Sequence, residues 1–126
     1  TEVVSRVSAA HGIEASADYL SKPGAIPLPV TLTMELGAEF NRQRPGAHIR
    51  LFSDYPFSGR AAARKLDDFE LQALAALRAQ PDVPYYRFEE YDGRPSLRYA
   101  IADRMQASCL TCHNNPASGS PKTDWQ

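Results

Sequence analysis

Residues 85–103 read "YYRFEEYDGRPSLRYAIAD". Two runs, "YYRFEEY" (85–91) and "SLRYAIAD" (96–103), are rich in aromatic and alternating apolar residues, and Asp92-Gly93 lies between them. Asp-Gly suits a two-residue hairpin turn, whose central positions both need positive φ, so the stretch predicts an antiparallel β-hairpin. Just upstream, Asp67 stands three residues before Glu70, a capping-box spacing, and Phe69, Leu71, Leu74 and Leu77 follow among four alanines until Pro81 and Pro84. That pattern predicts a helix leading into the hairpin.

Further out the signals are shorter. "AHIRLF" (47–52) sets Ile49 and Leu51 against His48, Arg50 and Phe52, which predicts a strand, and "SDYPFSG" (53–59) predicts a turn. Leu32, Leu36 and Phe40 recur every four residues and predict a short helix ended by residues 41–44 and Pro45-Gly46, with Met34 and Ala38 on another face. Pro23, Gly24, Pro27 and Pro29 impose an extended, turning connection. From Glu2 to about Leu20, Val3, Val4, Val7, Ala10, Ile13, Ala17 and Leu20 fall close to a 3.6 period, which predicts a long amphipathic N-terminal helix. Residues 114–126 have loop composition, with Pro116, Gly119, Ser120 and Pro121.

The order is thus helix, helix, strand, helix, strand, strand, then a loop carrying Cys109, Cys112 and His113. It predicts an α+β fold, a small antiparallel sheet with flanking helices. With 126 residues, 43% hydrophobic and 23% charged, a single domain is expected: residues 1–25 as N-terminal helix and linker, 26–126 as core. A net charge of -1 with no run of like charge gives no field to gather nucleic acid, which is excluded as a partner. No apolar stretch approaches the roughly 20 residues that cross a bilayer. The sequence begins at Thr1 without an initiator methionine or a basic-plus-apolar leader, and so reads as a piece of a longer protein.

The only two cysteines lie in "CLTCHN" (109–114). A structural zinc site needs four ligands, and beyond this motif the chain adds only His11 and His48, which do not form a ligand-spaced pair. A thioredoxin-like pair belongs at a helix N-terminus after an early strand, whereas this one follows a hairpin. A structural disulfide accounts for the cysteines but not for the adjacent histidine. Cys-x-x-Cys-His is also the attachment pattern of c-type haem, two thiols forming thioethers to vinyl groups and the histidine ligating iron. No Ser/His/Asp set, glycine-rich phosphate loop or paired-carboxylate pattern stands out, so no enzyme activity is expected.

The stretches "IPLPVTLTMELG", "IRLFSDYPF", "LDDFELQALAALR", "YYRFEEYDGRPSLRYAIADRM", "CLTCHN" and "SPKTDW", in that order over residues 26–125, resemble the c-type haem-binding, PAS-like sensor domains of bacterial signalling proteins, often found upstream of nucleotide cyclase or histidine kinase modules. The resemblance implies a PAS-like α+β fold and covalent haem c on Cys109, Cys112 and His113. It also implies periplasmic or extracytoplasmic placement in a membrane-anchored protein. The domain would sense redox state or a small haem ligand and pass the signal to an output module, the alternative being a monohaem electron-transfer protein with a redox partner. A further strand is implied after "KTDW". Parallel packing of the first helix in a homodimer would suit a sensor, while its single stripe equally serves the domain's own core.

With His113 on one side of the iron, the second axial position decides between electron transfer and gas binding. Met34 is the first candidate distal ligand and His48 the second, with His11 behind them; Met105, eight residues before His113, is expected to pack on the ring. Arg50 and Arg98, each mid-strand among apolar neighbours, are candidate partners of the haem propionates, with an ion pair to Asp54, Glu89 or Glu90 as the alternative. Tyr99, with Tyr85, Tyr86 and Phe88, would supply flat apolar walls.

Overall fold

The protein is described by a computed structural model over residues 2–58 and 65–126; Gly59, at the end of the expected turn, lies outside them. Among the described residues four α-helices and four strands follow one another: α1 (Glu2–His11), β1 (Ala15–Ser16), β2 (Ile26–Pro27), α2 (Pro29–Gln43), α3 (Asp68–Ala79), β3 (Tyr85–Tyr91), β4 (Arg94–Ala100) and α4 (Ala107–His113). The class is α+β. The chain divides into two units, the first taking Thr1–Leu51 with Gln106–Cys109 and the second Phe52–Met105 with Leu110–Gln126.

In the second unit the hairpin forms as its sequence dictates. Tyr91 pairs with Arg94 at the turn, and Asp92 and Gly93 take φ of 52° and 71°, the positive values of a type I′ connection. α3 opens on a complete capping box: Glu70 N–H donates to Asp67 Oδ1 and Asp67 N–H donates to Glu70 Oε2, both at 3.0 Å. Its buried residues Phe69, Ala73 and Leu77 pack with Ala100 of β4, and Phe52, Tyr85 and Ala102 close around them. Because strand side chains alternate, Tyr85, Arg87 and Glu89 share the face of β3 that meets α3, and Tyr86 and Phe88 point the other way. Asp67→Ala removes half of the capping box and a partner of Arg98. It is expected to cost about 1–2 kcal/mol, read as a lowered urea midpoint at unchanged slope.

In the first unit, β1 and β2 pair in parallel with Ala15 opposite Ile26. α2 starts with Pro29 at its first turn, where the missing N–H costs nothing. Gly37 and Asn41, one turn apart, face the segment at Ile49: a Cβ on Gly37 would lie 3.0 Å from the Ile49 carbonyl oxygen, Ile49 N–H donates to Asn41 Oδ1 at 2.7 Å, and Asn41 Nδ2 donates to the Ile49 carbonyl at 3.3 Å.

That amide clamp explains the first departure from expectation. Residues 47–52 are not a strand, since the Asn41 side chain takes both backbone groups of Ile49 that a neighbouring strand would have used. The long N-terminal helix is also absent. α1 ends at His11, and Gly12 follows at φ 65°, a conformation that terminates helices. The Leu32, Leu36, Phe40 stripe of α2 is exposed; the helix buries Thr31 and Gly37 instead. The described residues form two separate two-stranded sheets, so the single larger sheet implied by a PAS-like arrangement does not appear among them.

Candidate functional site

Cys109, Cys112 and His113 lie on a helix, not on the expected loop. In α4 they occupy relative positions i, i+3 and i+4, so they share one side of the helix within an arc of about 100°. Both thiols are free; Cys109 is half-buried and Cys112 exposed. Burial lowers the pKa of His113 below its ordinary value, which favours the neutral imidazole, the form with a lone pair for a metal.

Two stretches of the second unit meet at the end of α4. From residues 53–58 comes Phe57, whose ring meets the His113 imidazole edge to face, at 4.9 Å between centroids and 88° between planes. Tyr55 meets Trp125 the same way, at 5.4 Å and 90°. From the C-terminal segment, Trp125 N–H donates to Asn114 Oδ1 while Asn114 Nδ2 donates to the Trp125 carbonyl, both at 2.9 Å. Ser118 Oγ stands 2.6 Å from the carbonyl oxygens of both Cys112 and Asn115. Gly119, at φ 80°, brings its carbonyl to the Ser58 N–H at 3.0 Å, and a Cβ there would fall 2.7 Å from Ser58 Oγ.

Charge on this segment is local. Lys122 pairs with Asp124, holding that carboxyl below the usual carboxylate range, and its ammonium lies 5.0 Å from the Trp125 ring. The buried Nε1 of Trp125 has no acceptor among the described residues.

A family model described as Tll0287-like matches residues 3–126. The chain belongs to the Tll0287-like family. No curated protein and no solved structure gives a significant match. The Tll0287-like match spans both units, so α4 and the C-terminal segment that clasps it belong to the family's own domain rather than to an addition.

Elsewhere in this Tll0287-like chain the other expected site residues have surroundings of their own. Arg98 is committed to structure: one Nη donates to Asp67 at 2.9 Å and the other to Glu89 at 3.2 Å, and its guanidinium stacks between Phe69 at 4.2 Å and Tyr91 at 4.5 Å. The ion-pair alternative thus holds for Glu89. Tyr99 stacks on Tyr86 across the hairpin, on the exposed face. Met105 is half-buried just ahead of α4. Met34, His48, Arg50 and His11 belong to the first unit and His113 to the second; all four are exposed. Among the described residues no three His, Cys, Asp or Glu side chains assemble as a metal cluster, so the four ligands of a structural zinc site are not gathered there.

Phe57, Asn114 and Trp125 were not singled out by residue chemistry. They lie in "SDYPF", "CLTCHN" and "KTDW", within the blocks that carry the family resemblance, and spacing cannot reveal the contacts these make with one another.

Proposed function

We propose that this Tll0287-like domain holds a c-type haem covalently through Cys109 and Cys112, with His113 as axial ligand, and acts as an extracytoplasmic sensor module. The observation that carries the reading is the placement of two free thiols and a partly desolvated imidazole on one side of one helix. A thiol adds across a vinyl group with its sulfur bonding one carbon and its hydrogen going to the other, so attachment needs no oxidant. Thiols three residues apart and a histidine directly after them fit that chemistry. The unsatisfied indole N–H of Trp125 fits a group that brings carboxylate acceptors.

When bound, haem supplies a one-electron redox centre and an iron with a second axial position. Cys109 and Cys112 would hold the group covalently, and His113, whose pKa burial lowers, would offer it a neutral nitrogen. Thioether attachment takes place outside the bacterial cytoplasm, which is what supports an extracytoplasmic reading of the domain. Among the described residues no helix is long and apolar enough to cross a membrane. Output would pass to a further module of the full-length protein, and the domain itself would perform no catalysis.

The test is absorption of the ferric and dithionite-reduced protein, produced with c-type maturation, before and after acid-acetone extraction. A Soret band that stays with the polypeptide is the expected result. Sharp reduced α and β bands would mark a six-coordinate iron suited to redox sensing, and a broad reduced band an open position for a small ligand. No Soret band in matured protein would overturn the reading.

A further inference from the structure

We infer that Phe57 and Asn114 are positioning residues for His113: Phe57 sets the plane of the imidazole, and Asn114 fixes the backbone that carries it by bracing the C-terminal segment at Trp125. This inference rests on the haem reading only for what the imidazole faces; the bracing itself is independent of it.

The need for bracing follows from where the histidine sits. α4 has 7 residues and no buried side chain, and His113 is its last residue. A helix this short is marginal on its own, and its last turn is where carbonyls lose their partners and the chain frays. Rotation about the Cβ–ring bond of histidine is broad and roughly two-fold, so rotamer preference leaves the ring plane unset. Left to itself, this segment would present an imidazole of no fixed direction.

Two devices remove that freedom. The Asn114 amide presents an acceptor oxygen and a donor NH2 in one plane, the same kinds of group that a backbone peptide unit exchanges with a neighbouring strand. It spends both on Trp125, 11 residues later, at 2.9 Å each. Asn114 N–H continues the helical ladder to the Leu110 carbonyl at 2.8 Å, and Ser118 Oγ covers the Cys112 carbonyl at 2.6 Å. Backbone on both sides of His113 is therefore held. Phe57 then meets the imidazole at 88°, an arrangement that aromatic quadrupoles favour and that rotation of either ring would lose. Ligating histidines are usually oriented by a hydrogen bond from the far ring nitrogen; here the orienting contact is a ring edge.

The asparagine device recurs in this chain. Asn41 clamps Ile49 through the same two bonds in the first unit. Each clamp lies in the last turn of a helix or just past it and captures a segment that is part of no strand among the described residues.

The test begins with the chain produced without maturation, so that haem is not a variable. In wild type the carbon-bound protons of the His113 ring are expected to carry a ring-current shift and cross-peaks to Phe57. Phe57→Leu should abolish both, and Phe57→Tyr should retain them. Asn114→Ala should speed amide exchange at residues 112–114 by about thirtyfold, as losing two ordinary hydrogen bonds implies, and Asn114→Asp, which keeps only the acceptor, by less. Unchanged hairpin resonances between Tyr85 and Ala100 show that each variant is folded. In matured protein the ferric low-spin EPR g-values, which report the ligand plane, should move in Phe57→Leu and not in Phe57→Tyr. His113 resonances in Phe57→Leu that match wild type would overturn the role of Phe57, and unchanged exchange in Asn114→Ala that of Asn114. Absence of covalent haem from wild type would sink the haem reading alone, leaving the unmatured-chain result to decide the bracing.

Discussion

Phe69→Ala is expected to destabilise the second unit by about 3–5 kcal/mol, the usual cost of emptying a fully packed aromatic site. Phe69 is 3% exposed and packs with Ala73, Leu77 and Ala100. Its ring also carries the Arg98 guanidinium at 4.2 Å and meets Tyr85 at 5.4 Å. Truncation would therefore do more than open a cavity. Arg98, whose side chain is 14% exposed, would keep its carboxylates but lose the surface that fixes its plane, and the link between α3 and the hairpin would loosen. Phe69→Leu separates the two contributions, since it restores most of the volume and none of the π face; a cost of about 1–2 kcal/mol is expected. Urea denaturation followed by far-UV circular dichroism measures both. A cost below about 1 kcal/mol for Phe69→Ala would mean that this ring is not the centre of the unit.

The same unit shows why part of the fold was legible. The hairpin and α3 are encoded by local chemistry that a reader can check residue by residue: Asp92-Gly93 can take the two positive φ values, and Asp67 and Glu70 satisfy each other's N–H groups. "AHIRLF" misled because period-two alternation describes a side-chain pattern, whereas a strand needs a neighbour for its backbone. Here the neighbour is one asparagine side chain on α2. Gly12 offered a stop signal after His11 that outweighs the apolar periodicity continuing beyond it. The site divides along the same line. Cys109, Cys112 and His113 are legible because their relation is a spacing. Phe57 is not, because its relation to His113 is a tertiary contact over 56 residues of chain, and the same holds for the bond from Arg98 to Asp67, 31 residues away, which the ion-pair alternative for Arg98 did not include.

Thiol chemistry carries the largest functional effect. In chain produced without maturation, Cys112, exposed on α4, is expected to react with iodoacetamide faster than half-buried Cys109, and the difference should vanish in denaturant. In matured protein neither should react, folded or unfolded, because a thioether sulfur has no proton to lose. Replacing one cysteine leaves one unreacted vinyl, which should shift the reduced pyridine-haem α band to longer wavelength, while retention of haem through acid-acetone extraction persists. Cys109→Ala combined with Cys112→Ala should lose that retention completely, with His113 still present. The logic is that His113 contributes coordination, which acid breaks by protonating the imidazole, whereas the thioethers contribute covalent bonds, which acid leaves intact. Two titratable thiols in denatured, matured protein would mean that no attachment had occurred. The side-by-side placement of Cys109, Cys112 and His113 would then have to be explained by the packing of α4 alone, and that helix buries no side chain.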